Sequence, residues 1–180
     1  MRDTALETFV NAVRRDWGPI SSEVVAACAS HLQTLVAADP EEPWLAELLR
    51  DQPRAQELYR DADHGFVLMA HAEPAGLYRP PHDHGRSWVS YGVQSGASEM
   101  GTYGRIERDG GAVLVKRNAT RVQAGDVQVY LPGDIHDTRC LAGPALLFRF
   151  TERDLRVEDK VEHRVTRYVD HAGVWTAGAA

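Results

Sequence analysis

The chain has 180 residues, 43% hydrophobic and 26% charged, which is the size and balance of one ordinary globular domain and unlike a disordered, fibrous or disulfide-dense chain. Lys and Arg number 20 against 26 Asp and Glu, a formal charge of −6, so no general attraction to phosphate backbones or anionic lipid is expected, and nucleic acid and membrane are set aside as partners. Cys28 and Cys140 are the only cysteines, outside any CxxC or zinc-cluster pattern. No apolar run reaches the roughly 18 residues of a membrane span, and the acidic start MRDTALETF lacks a basic then apolar leader, so a reduced, unexported protein of the cytoplasm is expected.

Apolar residues at three- and four-residue spacing, Leu6, Phe9, Val10, Val13 and Trp17, predict a first helix that Gly18-Pro19 stops. Ser21 or Ser22 can cap a second, with Glu23 at its positive end and a stripe of Val24, Ala27, Cys28, His31, Leu32 and Leu35 before Asp39-Pro40. A third opens at Pro43 with Trp44, Leu45, Leu48 and Leu49 apolar, and a fourth helix is expected over 53–59.

From about Gly65 the pattern changes to short β-branched and aromatic segments punctuated by Gly and Pro. Strands are expected at 66–71, 87–94, 98–106, 112–115, 120–123, 127–131, 137–140, 145–150 and 164–169. So many strands without intervening helices predict a mainly β sandwich or barrel, with the helical segment packed on it as part of one domain. The expected division is 1–60 helical, 61–172 β-barrel and 173–180 tail, with 176–180 frayed.

His82 and His84 lie in Gly76-Leu-Tyr-Arg-Pro-Pro-His-Asp-His-Gly85. On extended backbone, residues two apart face the same way, so both imidazoles aim at one point while Asp83 turns away. The spacing alone is common, and the context must carry it. Some 52 residues after His84, Leu131-Pro-Gly-Asp-Ile-His136 forms a turn that projects His136 from the start of a strand. Three neutral imidazoles suit a first-row divalent metal and leave coordination positions open for water, substrate or dioxygen.

These residues resemble the two motifs of the cupin superfamily. Gly76, His82, His84 and Gly96 fit the first, Gly-x5-His-x-His-x(3,4)-Glu-x6-Gly; Gly125, Gly133 and His136 fit the second, Gly-x5-Pro-x-Gly-x2-His. The resemblance covers about residues 60 to 170 and implies a double-stranded β-helix (cupin or jelly-roll barrel) with the N-terminal helices packed on it, and a metal held by His82, His84 and His136. Val89 stands where the family's glutamate ligand is expected, and Leu131 where its proline is. Losing the glutamate leaves the ion's charge uncompensated by the protein, which favours an anionic, chelating substrate. Within the superfamily, Pro80-Pro-His-Asp-His84 and Gly133-Asp-Ile-His136 resemble thiol dioxygenases of the cysteine and 3-mercaptopropionate type. That resemblance implies Fe(II), dioxygen as co-substrate and conversion of a thiol acid to a sulfinic acid. The Ser-x-His-x-Tyr element of that group is missing, since its window reads Arg149-Phe-Thr-Glu-Arg153; His163 and Tyr168 are candidates to fill its place from another strand.

Tyr91, two residues beyond Val89, is expected to face the same cavity, either as a phenol that orients dioxygen or gives a proton, or as a core tyrosine bonded to backbone. Alternation in Ala145-Leu-Leu-Phe-Arg-Phe150 puts Arg149 on the face opposite Leu146, Phe148 and Phe150. It either binds a substrate carboxylate from inside or stands outward in solvent. Arg54 and Arg60 precede the barrel at about the distance where the resemblance implies a group that holds a substrate carboxylate, and a charged helix face explains them equally. Trp88 and Tyr103 are expected to pack, His71 lacks ligand spacing, and Cys140 reads as a buried thiol.

Three functions fit these residues. The first is a non-haem iron dioxygenase acting on a small anionic molecule such as a thiol acid. The second uses the same metal as a Lewis acid for C–C cleavage, isomerisation or lyase chemistry, and the third is a non-catalytic binding module; for the site itself Ni, Mn, Zn or Cu are the alternatives to Fe(II). Cupin barrels often pair, which makes a homodimer a candidate assembly.

Overall fold

Three helices form where their end signals place them. In the computed structural model, which describes residues 3–108 and 111–178, α1 spans Ala5–Asp16, α2 Ser22–Val36 and α3 Pro43–Asp51. Thr4 and Glu7 cap α1 reciprocally, Ser21 accepts from the Val24 N–H at the start of α2, and Pro43 occupies the first turn of α3, where its missing N–H costs nothing. The Glu42 carboxylate ties two helix starts together, accepting from the Ala5 N–H at 2.9 Å and the Trp44 indole N–H at 2.6 Å.

The helix expected over 53–59 is a strand. Gln52 adopts the left-handed conformation that ends α3, Pro53 follows, and the chain enters β1 (Gln56–Arg60), which pairs antiparallel with β2 (Val67–Glu73). Only Leu58 and Tyr59 of this segment pack on the core, too little for a helical stripe, whereas the edge of β2 supplies hydrogen-bond partners for an extended chain.

The remaining strands are β3 (Tyr78–His82), β4 (Val89–Arg108), β5 (Gly111–Gln123), β6 (Val127–Tyr130), β7 (Ile135–Thr151), β8 (Tyr168–His171) and β9 (Val174–Ala177). Segments expected as separate short strands are therefore continuous in β4, β5 and β7. The strands bend where a break was expected: the register between β4 and β7 shifts repeatedly from Val93 to Ser98. Gly96 sits at this bend with φ 80°, and a Cβ there would fall 2.5 Å from the Ala142 carbonyl oxygen, so both its backbone and its bareness are required.

Beyond the bend the partners change. The second half of β7 pairs with β2 and its first half with β3, while β4 pairs with β6 through its first half and with β5 through its second. One antiparallel sheet thus curls into two halves that share β4 and β7, and the fold is a double-stranded β-helix.

Both faces of the first half-sheet are buried. Leu68, Ala70, Leu146, Phe148 and Phe150 point outward into the helices, meeting Phe9, Leu32, Leu35, Leu45 and Leu48; each large side chain so buried contributes about 1.5–3 kcal/mol of transfer free energy. The alternate residues, Val93, Leu147 and Tyr130 among them, fill the barrel with Met100, Val122 and Cys140. The segment after β7 contains a π-helical turn, Val157–Val161, and leads to the β8–β9 hairpin, which docks on β5 through Val113 and Thr176. Thr176 and Ala177, expected to fray, are thus part of a strand, because the edge of β5 was open to receive it; residues 179 and 180 lie outside the described residues. No described helix is long and apolar enough to cross a membrane.

Candidate metal site

The two motifs meet across a strand pair, with His82 at the end of β3 directly opposite His136 near the start of β7. Pro80 and Pro81 cannot donate to the ladder, and the register slips between Arg79 and His82, which sets the end of β3 apart from regular pairing. The His82 Nδ1 lies 2.8 Å from the Pro80 carbonyl; a carbonyl only accepts, so Nδ1 carries the proton and Nε2 keeps its lone pair. On the other side, Asp134 closes the turn after β6 by accepting from the Leu131 N–H at 2.7 Å, and the chain enters β7 with His136 facing inward.

Asp83 points away from the two histidines that flank it, as alternation requires. Its carboxylate accepts from the N–H groups of Gly85 (3.0 Å) and Thr166 (2.9 Å), so the histidine loop is pinned to the C-terminal segment. Glu158, 1% exposed, accepts from the Arg86 N–H at 3.0 Å and pins the same loop a second time. Neither restraint was legible in the sequence, because each joins positions more than 70 residues apart.

The result is convergence of three imidazoles: ligand nitrogens of His82, His84 and His136 all lie within 4.8 Å of one another. The Nε2 atoms of His84 and His136 are 3.2 Å apart, and the Tyr91 hydroxyl is 3.3 Å from His84 Nε2. Burial lowers the pKa of all three rings, reinforced for His84 and His136 by the neighbouring imidazoles; His84 falls to about 3. Neutral rings are what a divalent ion needs. Two nitrogens 3.2 Å apart and each about 2.1 Å from one ion subtend roughly 100°, close to tetrahedral and octahedral angles. The donor set therefore fits a first-row divalent metal. Tyr130 stacks on the His136 ring at 3.9 Å between centroids and holds its plane.

Tyr91 lies inside the barrel, as expected, and burial pushes its phenol up in pKa while Arg149 opposes that rise. Arg149 also faces inward. It is the registered partner of Tyr91 across β4 and β7, and its neighbours Phe148 and Phe150 take the helix side. Both line a cavity of about 650 Å³ walled by β2, β3, β4, β7 and the C-terminal segment, with His82 and His84 in the same wall. Arg79, Arg156, Lys160 and Arg167 also line it, each within 4.0 Å of a carboxylate. Arg149 has no such partner among the described residues, and its Nε is buried without a hydrogen bond.

Other candidates fall elsewhere. Val89, at the position of the family's glutamate, is fully buried but does not line the cavity. Arg60 pairs with Glu57 and Asp154 on the surface, and Arg54 contributes only its carbonyl, to His71. Trp88 belongs to the core under the helices, and Tyr103 donates to Asp137 at 2.5 Å. His163 does not line the cavity, whereas Tyr168 does. His71 is the residue that ligand spacing passed over: it lines the cavity from β2, and alternation with the outward Leu68 and Ala70 was the signal that could have found it.

No protein-family model matches the chain, and no curated protein matches it. Similar solved structures include the cupin domain of Cnp3 from Schizosaccharomyces pombe, 14% identical over 62% of this chain and 73% of that one, with a TM-score of 0.44. KdgF from Halomonas sp. is 21% identical over 56% of this chain and 80% of its own, with a TM-score of 0.43. A cupin superfamily protein from Desulfitobacterium hafniense DCB-2 is 13% identical over 56% and 76%, with a TM-score of 0.41.

Proposed function

We propose that this protein is a metal-dependent dioxygenase that oxidises a small thiol-bearing carboxylic acid to the sulfinic acid. The observation that carries the reading is a convergent neutral three-histidine cluster, two of whose rings, His82 and His84, line one cavity together with Arg149, a guanidinium without a carboxylate partner among the described residues. His82, His84 and His136 would hold the ion. When bound, ferrous iron supplies the redox chemistry by which both atoms of dioxygen join the sulfur, RSH + O2 giving RSO2H.

The chain's own residues supply position and charge. Arg149 offers a planar fork to a carboxylate, and the lack of a carboxylate partner for it among the described residues leaves that charge for the substrate. With no carboxylate among the three histidines, an anionic ligand meets only positive or neutral groups at the metal and at Arg149. Tyr91, 3.3 Å from His84 and registered with Arg149, holds a phenolic proton beside the ligand nitrogens; burial keeps it protonated and able to donate. The C-terminal segment, pinned through Thr166 and Glu158, covers one side of the cavity and limits access of bulk water.

The test is metal analysis of untagged protein, followed by anaerobic loading with Fe(II) and oxygen-uptake measurements with thiol acids. Oxygen consumption in step with sulfinate, one to one, is the expected result. Turnover of any substrate without oxygen would replace this reading with Lewis-acid chemistry at the same site, and absence of retained metal would remove both.

A further inference from the structure

His71 and Arg149 each present a buried nitrogen without a partner, His71 Nε2 and Arg149 Nε, in the wall of the same cavity. Their places are fixed by the β2–β7 ladder, in which Met69 faces Arg149 and His71 faces Leu147. The two side chains are therefore diagonal neighbours on the inner face, close enough to contact one small molecule together.

The proton on His71 can be assigned. Nδ1 lies 3.1 Å from the Arg54 carbonyl, which can only accept, so Nδ1 carries the hydrogen and Nε2 is the bare acceptor. Burial and the nearby guanidinium of Arg149 hold the ring neutral, with its pKa pulled down to about 3. A buried acceptor thus stands beside the guanidinium of Arg149, whose Nε is a buried donor, and the two do not satisfy each other. Each selects its complement: the guanidinium a carboxylate, the imidazole nitrogen an N–H or O–H.

We propose that His71 Nε2 and Arg149 together recognise a carboxylic acid carrying an uncharged hydroxyl on its α or β carbon. The inference rests on the acid-binding role of Arg149 proposed above and narrows its substrate class. Charge decides for hydroxyl over ammonium. Arg149 and Arg79 both act on His71, and Glu73, the nearest inward carboxylate on β2, is engaged by Arg79 at 2.8 Å. An ammonium placed against His71 would meet these cations with no free carboxylate to offset them, whereas a hydroxyl donates without adding charge.

Calorimetric titration of the metal-free protein with propionate, lactate, 3-hydroxypropionate and L-alanine tests this without recourse to catalysis. One of the two hydroxy acids should bind about tenfold tighter than propionate, the loss expected when a buried acceptor is left unsatisfied, and alanine should bind no tighter than propionate. His71→Leu should bring the hydroxy acid down to the level of propionate, and His71→Gln, whose amide oxygen can accept, should restore part of the preference. Equal affinity for propionate and both hydroxy acids in the wild type would overturn the proposal, as would tighter binding of alanine or a preference that survives His71→Leu. Because the titration needs no metal, a protein that keeps the hydroxy-acid preference but consumes no oxygen would lose the oxidation reading alone.

Discussion

Individual side chains here owe their chemistry to what surrounds them more than to their type. His84 and His31 are both histidines, yet His31 lies at the helix surface 2.7 Å from Asp16, while His84 is buried with its Nε2 against another imidazole. His84→Ala should therefore abolish retention of metal, measured as bound ion per chain after dialysis. The apo melting temperature should move by only a few degrees, since the ring makes no protein hydrogen bond beyond those to Tyr91 and His136. Arg149→Met keeps a side chain of similar length and removes the fork. The expected effect is a rise of about 10- to 100-fold in KM for a carboxylate substrate, the range of a lost charge-assisted bond, with metal content unchanged. An unchanged KM would take the carboxylate away from Arg149.

Among the secondary-structure elements, the strands that place the site are those whose residues alternate under constraint from both faces. In β7, Phe148 and Phe150 are claimed by the helices and Leu147 by the barrel, so Arg149 has only the interior left; a sequence shows the alternation but not which face the helices will cover. That is why the three converging histidines were legible from local spacing and a turn, while the direction of Arg149, the place of His71 in the cavity wall and the covering segment were not: each depends on partners distant along the chain. The bend in β4 was misread for a related reason. Gly96 looks like a strand break, but tight contact with Ala142 and Ala145 makes it a corner through which pairing continues. Gly96→Ala would add both a left-handed backbone penalty and a collision with backbone, and should cost about 2–4 kcal/mol in urea unfolding. A loss under 0.5 kcal/mol would mean that the corner relaxes freely.

Across the whole molecule, the barrel keeps several buried histidines neutral, and that choice couples stability to pH. For His71 the folded pKa of about 3 lies below the ordinary 6.5. Below pH 6.5 the unfolded chain takes up a proton that the folded chain refuses, so protonation favours unfolding. The stability held at neutral pH is therefore lost progressively as pH falls from 6.5 toward 3, by about 1.4 kcal/mol per pH unit for this one group. At pH 5 its share is about 2 kcal/mol. His71→Leu removes that proton from the balance, so urea unfolding of metal-free protein at pH 7 and pH 5 should show a smaller acid-induced loss in the variant, by close to this amount. Equal losses in the two proteins would mean that the imidazole accepts its proton without unfolding, and that the cavity wall is wet enough at His71 to stabilise a charge beside Arg149.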